Sequence, residues 1–164
     1  MFDVFSMRAR QIVFAARFAA GERGADIIGV DDLLVGLVLE DQGLLTDVLS
    51  KLHGEPVAFA GSAESHIPFF PPKTAQDLLN RMEKLLPRSK PILPTTSASV
   101  SPALGRVFDS AKALQGQFRH SHIEPLHLLA GILTEGSSEG VTLLQGCGVT
   151  RENVLRALDK PRNS

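Results

Sequence analysis

Two aspartates stand side by side at Asp31 and Asp32, directly ahead of the apolar run LLVGLVL. Carboxylates in that place suit the N-terminal end of a helix, where they offset the positive pole of the macrodipole by about 0.3–1 kcal/mol. His120, His122 and His127 with Glu124 have the side-chain types of a metal site. They straddle a turn and a helix start without a recurring ligand spacing, so no metal is expected, and the role expected of His127 is to hydrogen-bond locally and fix the turn. Ser62, Glu64 and His66 form a compact set with acid–base potential, which a solvated loop explains equally well. Cys147 has no base placed beside it and reads as a buried, inert thiol. No Ser/His/Asp order carries a nucleophile elbow, and no Gly-x-x-x-x-Gly-Lys-Ser/Thr stretch offers a cradle for nucleotide phosphates. No catalytic residue and no cofactor are expected.

A further set is apolar. Met7, Phe14 and Phe18 share one side of a predicted helix, opposite Ala9, Ile12, Val13, Ala16 and Ala20. A helix with two apolar sides needs two partners. The second side is either a docking surface, for which aromatics and methionine are good anchors, or internal packing against a 53–72 segment that holds Phe59, Phe69 and Phe70.

The composition narrows the setting. The chain has 164 residues, 43% of them hydrophobic, enough to bury one core without staples. Its 17 basic and 18 acidic residues give a formal charge of -1, which supplies no general pull toward nucleic acid or an anionic membrane. A single cysteine excludes an internal disulfide and points to a reducing compartment, with the cytoplasm as the default. The start, MFDVFSMRARQ, lacks the apolar core of a secretory signal, and no apolar run approaches the roughly 20 residues of a membrane span.

The elements that must position these residues come in two copies. Sliding the chain against itself by 95 positions, without a gap, lays Ser6 on Ser101, Ala16 on Ala111, Gly21 on Gly116, Ile28 on Ile123, Leu33 and Leu34 on Leu128 and Leu129, Gly36 on Gly131, and Glu40 on Glu135. Ser6 and Ser101 are N-cap candidates, with Pro102 at a first helical position. First helices are expected up to Gly21 and Gly116, and second helices over 31–40 and 125–135. Gly36 and Gly131 lie inside the second helices, where glycine costs about 1 kcal/mol relative to alanine, so both suggest close helix approach. Third helices are expected over 44–52 and 139–145, and fourth helices over 74–86 and 151–158, the last after Thr150 as N-cap. Prolines 87, 91 and 94 mark a linker between the copies. The expected organisation is a single domain, 1–164: copy one over 1–86 with a 53–72 insertion, linker 87–100, and copy two over 101–160.

The stretches IGVDDLLVGL (28–37) and IEPLHLLAGI (123–132), with LQGCGV (144–149) later, resemble the N-terminal repeat of Clp-type AAA+ chaperones, an Ile-x-x-acidic-His-Leu-Leu-x-Gly-Leu pattern following a helix that ends near glycine. The resemblance spans nearly all of the chain outside 53–72. It implies an all-α fold of two four-helix repeats packed with pseudo-two-fold symmetry, and a non-catalytic module that binds unfolded substrates, a Clp adaptor or the Clp assembly. Some domains of that family bind phosphorylated arginine through an acidic residue at the start of the second helix of each repeat. Asp31 matches that position, whereas the second copy has Leu126, and Asp32 stands where the family has the histidine that His127 supplies in copy two. The expected partner-binding residues are therefore Met7, Phe14, Phe18, Asp31 and Asp32. The alternative is a small enzyme or ligand-binding protein that uses 53–72 as a lid.

Overall fold

The computed structural model describes residues 4–40, 75–86, 99–146 and 148–159. The expected third helix of copy one, the 53–72 insertion, nearly all of the linker and Cys147 lie outside the described residues. Within them the chain forms α1 (Met7–Glu22), β1 (Ile27–Ile28), α2 (Val30–Glu40), α3 (Ala75–Leu85), β2 (Ser99–Val100), α4 (Pro102–Gln117), α5 (Pro125–Glu135), α6 (Glu139–Gly146) and α7 (Arg151–Asp159).

The helices begin and end where local chemistry directs. The Ser6 hydroxyl accepts from Ala9 N–H and the Ser101 hydroxyl from Leu104 N–H, both at 3.1 Å, so the two first helices are capped alike. Each runs one residue past its glycine and closes with matched turn bonds: Ala25 N–H donates to the Ala20 carbonyl at 2.8 Å and His120 N–H to that of Gln115 at 3.0 Å. The turn needs a left-handed residue, which is Gly24 (φ 77°) in copy one and Arg119 (φ 57°) in copy two. Left-handed Gly136 ends α5, and Thr150 caps α7 by accepting from Asn153 N–H at 3.3 Å.

Two helix crossings build the core. A Cβ placed on Gly36 would lie 2.5 Å from the Ile12 carbonyl oxygen and 2.7 Å from the Ala16 nitrogen, so α2 rests on the α1 backbone itself. At the equivalent place a Cβ on Gly131 would lie 2.7 Å from the Val107 carbonyl oxygen. The close approach expected from the paired glycines is present in both copies. It turns Ala9, Ile12, Ala16 and Ala20 inward on α1, and Leu104, Val107, Ala111 and Leu114 inward on α4. Leu33, Leu34 and Leu37 of α2 join Leu128, Leu129 and Ile132 of α5 in one buried cluster that spans both copies.

The copies clasp each other reciprocally. The segment before α4 pairs in parallel with the segment before α2, Ile28 opposite Val100, while the segment before α1 pairs with the segment before α5, Phe5 opposite Ile123. Ser101 N–H donates to the Ile28 carbonyl at 2.9 Å, and its counterpart Ser6 N–H to the Ile123 carbonyl at 3.0 Å. Each copy thus gives the other the same bonds, as in a two-fold interface. The two-residue strands are an addition to the expected all-α fold; such short ladders have no periodicity to read, and they join segments far apart in sequence. Phe5 also meets Phe108 of the other copy edge-on, with ring centroids 5.8 Å apart.

Copy two carries one further tie between its helices: Arg106 on α4 grips Glu135 on α5 through two hydrogen bonds of 2.9 Å. These bonds, with another from the Ser137 hydroxyl, hold the Glu135 carboxyl down at about 2. A carboxyl depressed in the folded chain contributes stability above its unfolded value, about 4.3, and loses that contribution as pH falls toward the folded value. Glu135→Gln should therefore flatten the acid limb of the stability profile between about pH 4 and 2 in urea titrations at stepped pH; an unchanged limb would place the acid sensitivity elsewhere. Gly36→Ala and Gly131→Ala should each lower unfolding free energy by about 1–3 kcal/mol, because the helices must part. Gly105→Ala, with open space where its Cβ would go, should be neutral or stabilising by up to about 1 kcal/mol in the same urea titration.

Candidate docking surface

With one side of α1 committed to the core, the opposite side faces solvent. Met7 is 77% exposed, Phe14 59% and Phe18 46%. The two phenyl rings lean on each other with centroids 5.3 Å apart. The equivalent side of α4 also faces solvent, but there the three positions are Pro102, Asp109 and Ala113. The repeat itself makes no demand for aromatics at this place. Single exposed apolar residues are ordinary, whereas an aligned methionine and two aromatics on one helix face form a patch. A docking surface would have these exposures, and the 53–72 segment invoked by the packing reading lies outside the described residues.

The aspartates do something else. Both lie in the first turn of α2, as expected. Asp32 is fully buried, and its carboxylate is occupied within the fold: Arg23 reaches Oδ1 through Nε at 3.0 Å and Oδ2 through Nη2 at 2.7 Å, and Gly29 N–H donates to Oδ2 at 2.9 Å. This corrects its expected place among partner-binding residues, since a carboxylate with both oxygens taken and no exposed surface offers a partner nothing. Asp31 is half-buried at the joint between the copies, where its Oδ1 accepts from Gly140 N–H at 2.9 Å. That N–H belongs to the first turn of α6, so the carboxylate of one copy caps a helix of the other.

The histidine group shows the same device in different chemistry. His127 is fully buried, and its Nδ1 accepts from Glu124 N–H at 2.8 Å, the counterpart of the Gly29 to Asp32 bond. An accepting Nδ1 requires the neutral ring with its proton on Nε2, which lies 2.8 Å from His120 Nδ1. His120 in turn stacks on Phe118. The expected local role in fixing the turn is what the geometry shows for His127, while His122 stays exposed beside Ser121. Among the described residues no three His, Cys, Asp or Glu side chains converge as a metal ion would need. Arg23 is the residue that sequence reading missed. Its signal is in the paired copies: where histidine gives way to Asp32, phenylalanine gives way to Arg23 nine residues upstream.

Beside the Arg23–Asp32 pair lies a cleft of about 130 Å³ floored by Ala19, Val35, Leu39 and Leu86. It is small against the roughly 300–1,000 Å³ of ordinary small-molecule pockets, so it lends the ligand-binding alternative little. No described helix is long and apolar enough to cross a membrane.

Residues 4–147 match the family model of the Clp repeat (R) N-terminal domain, and 101–163 match it again. The chain belongs to this family. This Clp N-terminal domain is 25% identical over 162 residues to the chaperone protein ClpB of Oceanobacillus iheyensis, a match covering 96% of the chain and 17% of that protein. It is 23% identical over 154 residues to the chloroplastic chaperone protein ClpC of Pisum sativum, covering 94% of the chain and 14% of that protein. The chain therefore spans about a sixth of the length of these relatives. Its fold matches the N-terminal domain of Hsp104 from Candida albicans with a TM-score of 0.67 at 17% identity, covering 99% of this chain and 93% of that one. The N-terminal domain of the caseinolytic protease associated chaperone ClpD from Arabidopsis thaliana matches with a TM-score of 0.63 at 20% identity, covering 96% and 94%. The all-helical Clp N-terminal fold read from the paired repeats is thus the fold observed.

The two aspartates should separate cleanly in this Clp N-terminal domain. Asp32→Ala strands a mostly buried guanidinium and should cost about 3 kcal/mol, whereas Asp31→Ala removes one helix-end bond and should cost about 1 kcal/mol. Thermal and urea unfolding of both variants measure this; equal costs would contradict the assignment of the pair.

Proposed function

We propose that this domain is a protein-docking module of a Clp chaperone system that does no chemistry itself and recruits unfolded substrates or an adaptor through the outer side of α1. The observation that carries the reading is the exposed Met7, Phe14 and Phe18 set against Pro102, Asp109 and Ala113 on the matching face of α4. Two helices with one backbone role and one solvent-facing side have been given different surfaces, and an exposed aromatic pair has a use only where something covers it. Aromatic and methionine side chains contribute most to protein interfaces because each buries a large area for few frozen torsions. Kinship with ClpB and ClpC chaperones supports a place in that system. Phosphoarginine recognition through paired carboxylates finds less support: Asp31 holds the joint between the copies, and Leu126 stands at its counterpart. A cytoplasmic or equivalent reducing compartment fits the single cysteine.

The test is affinity for a permanently unfolded model polypeptide, measured by calorimetry on the intact chain. Phe14→Ser with Phe18→Ser should weaken binding by about ten-fold or more, with an unchanged melting curve because neither ring supports the core. Asp109→Ser with Ala113→Ser should leave affinity as it was. Retained affinity in the phenylalanine variant would show that docking takes place on another face.

A further inference from the structure

Two differences between the copies meet at the cleft beside the Arg23–Asp32 pair. Ala19 and Arg23 stand there where copy two has Leu114, which is buried, and Phe118, which stacks on His120. The floor of the cleft is aliphatic, and Leu39 on it is left 49% exposed. The rim is acidic: Glu22 is the last residue of α1, Glu83 lies in the last turn of α3, and both are exposed. Among the described residues neither carboxylate forms a hydrogen bond or ion pair. A helix C-terminal end carries the negative pole of the macrodipole, so each acid sits where its own helix favours a cation. Copy two has the neutral Gln117 at the position of Glu22. The Arg23 guanidinium does not relieve the rim, because Asp32 holds it in three hydrogen bonds. Lys84, the basic residue in the last turn of α3, does not line the cleft.

We infer that this cleft receives one basic side chain, a lysine or an arginine, from the partner protein. The inference rests on the docking function proposed above and gives its partner an anchor. Glu22 follows Phe18 by one turn of α1, so a segment lying along the apolar stripe reaches the rim of the cleft. A lysine or arginine has the two parts that the cleft asks for. Its methylene stem covers the aliphatic floor, while its cationic end meets two carboxylates and two negative helix poles. An aliphatic side chain would satisfy the floor alone, and an acidic one would bring a third negative charge to the rim. The volume of about 130 Å³ suits a single side chain, where a small-molecule ligand would need more room.

The experiment uses the full chain and three labelled peptides with identical Leu and Phe positions that differ at one central site, which holds Lys, norleucine or Glu. Binding is followed by fluorescence anisotropy. The Lys peptide should bind about five- to ten-fold tighter than the norleucine peptide at low salt, as two exposed charge contacts allow, and the Glu peptide should bind weakest. The Lys advantage should shrink as salt rises. Glu22→Gln with Glu83→Gln keeps the shape of the rim and removes its charge, and should erase the advantage. Ala19→Leu, which places there the residue that copy two carries, should fill the cleft and erase it as well. Glu139→Gln with Glu152→Gln, two exposed acids at other helix ends, makes the same change in net charge and should keep it. Melting curves check that each variant is folded. Equal binding of the Lys and norleucine peptides, or a Lys advantage that survives the loss of both rim charges, would overturn the basic anchor while leaving the docking function standing. Binding of none of the three peptides would overturn both.

Discussion

Two backbone contacts decide which surfaces this domain can show. Where α2 meets α1 and where α5 meets α4, a glycine lets one helix rest on the carbonyl and amide atoms of the other, closer than any side chain would allow. Once Gly36 lies against Ile12 and Ala16, the small and branched residues of α1 must point inward, and the stripe through Met7, Phe14 and Phe18 must point out. The same constraint at Gly131 turns Asp109 and Ala113 outward on α4. Scaffold and exposed surface follow from one interaction, because fixing the rotation of a helix fixes both of its sides.

The duplicated scaffold permits a comparison that a single copy would not. Caps at Ser6 and Ser101, the left-handed turn at Gly24 and Arg119, the glycine crossings, and the exchanged bonds of Ser6 and Ser101 are held in common. Two of the differences among the described residues bear on the candidate surface. At the start of the second helix a neutral imidazole and a paired carboxylate do the same work, each accepting the backbone N–H three residues earlier. Burying a carboxylate there is costly without a counter-charge, and Arg23 supplies one where copy two needs none. On the solvent face of the first helix, by contrast, the difference has no structural counterpart among the described residues, which supports the docking function proposed above.

Much of this was legible from the residues. Helix α5 occupies 125–135 as read, the Ser6, Ser101 and Thr150 caps form, and both glycine crossings exist, because capping, spacing and missing side chains are local signals. What escaped depends on contacts between distant segments. The ladder of Ile28 with Val100 and the bridge of Phe5 with Ile123 involve too few residues for alternation to be seen, and the partners lie in different copies. Asp32 was misplaced among surface residues because an acid at a helix start ordinarily sits in water; its burial follows from Arg23, whose role needs the turn between them. For the stripe on α1 the sequence showed an apolar side that copy two lacks; Met7, Phe14 and Phe18 are exposed, and the 53–72 segment of the packing reading lies outside the described residues.

That the domain is alike in frame and unlike in use is tested most directly by a backbone-amide NMR titration of the whole chain with an unfolded model polypeptide. Perturbed signals should gather on residues 7–18 of α1 and leave Asp109 and Ala113 on α4 undisturbed, marking one working face on a doubled scaffold. Equal perturbation of both helices, or a footprint centred on the Arg23–Asp32 cleft with α1 silent, would contradict it.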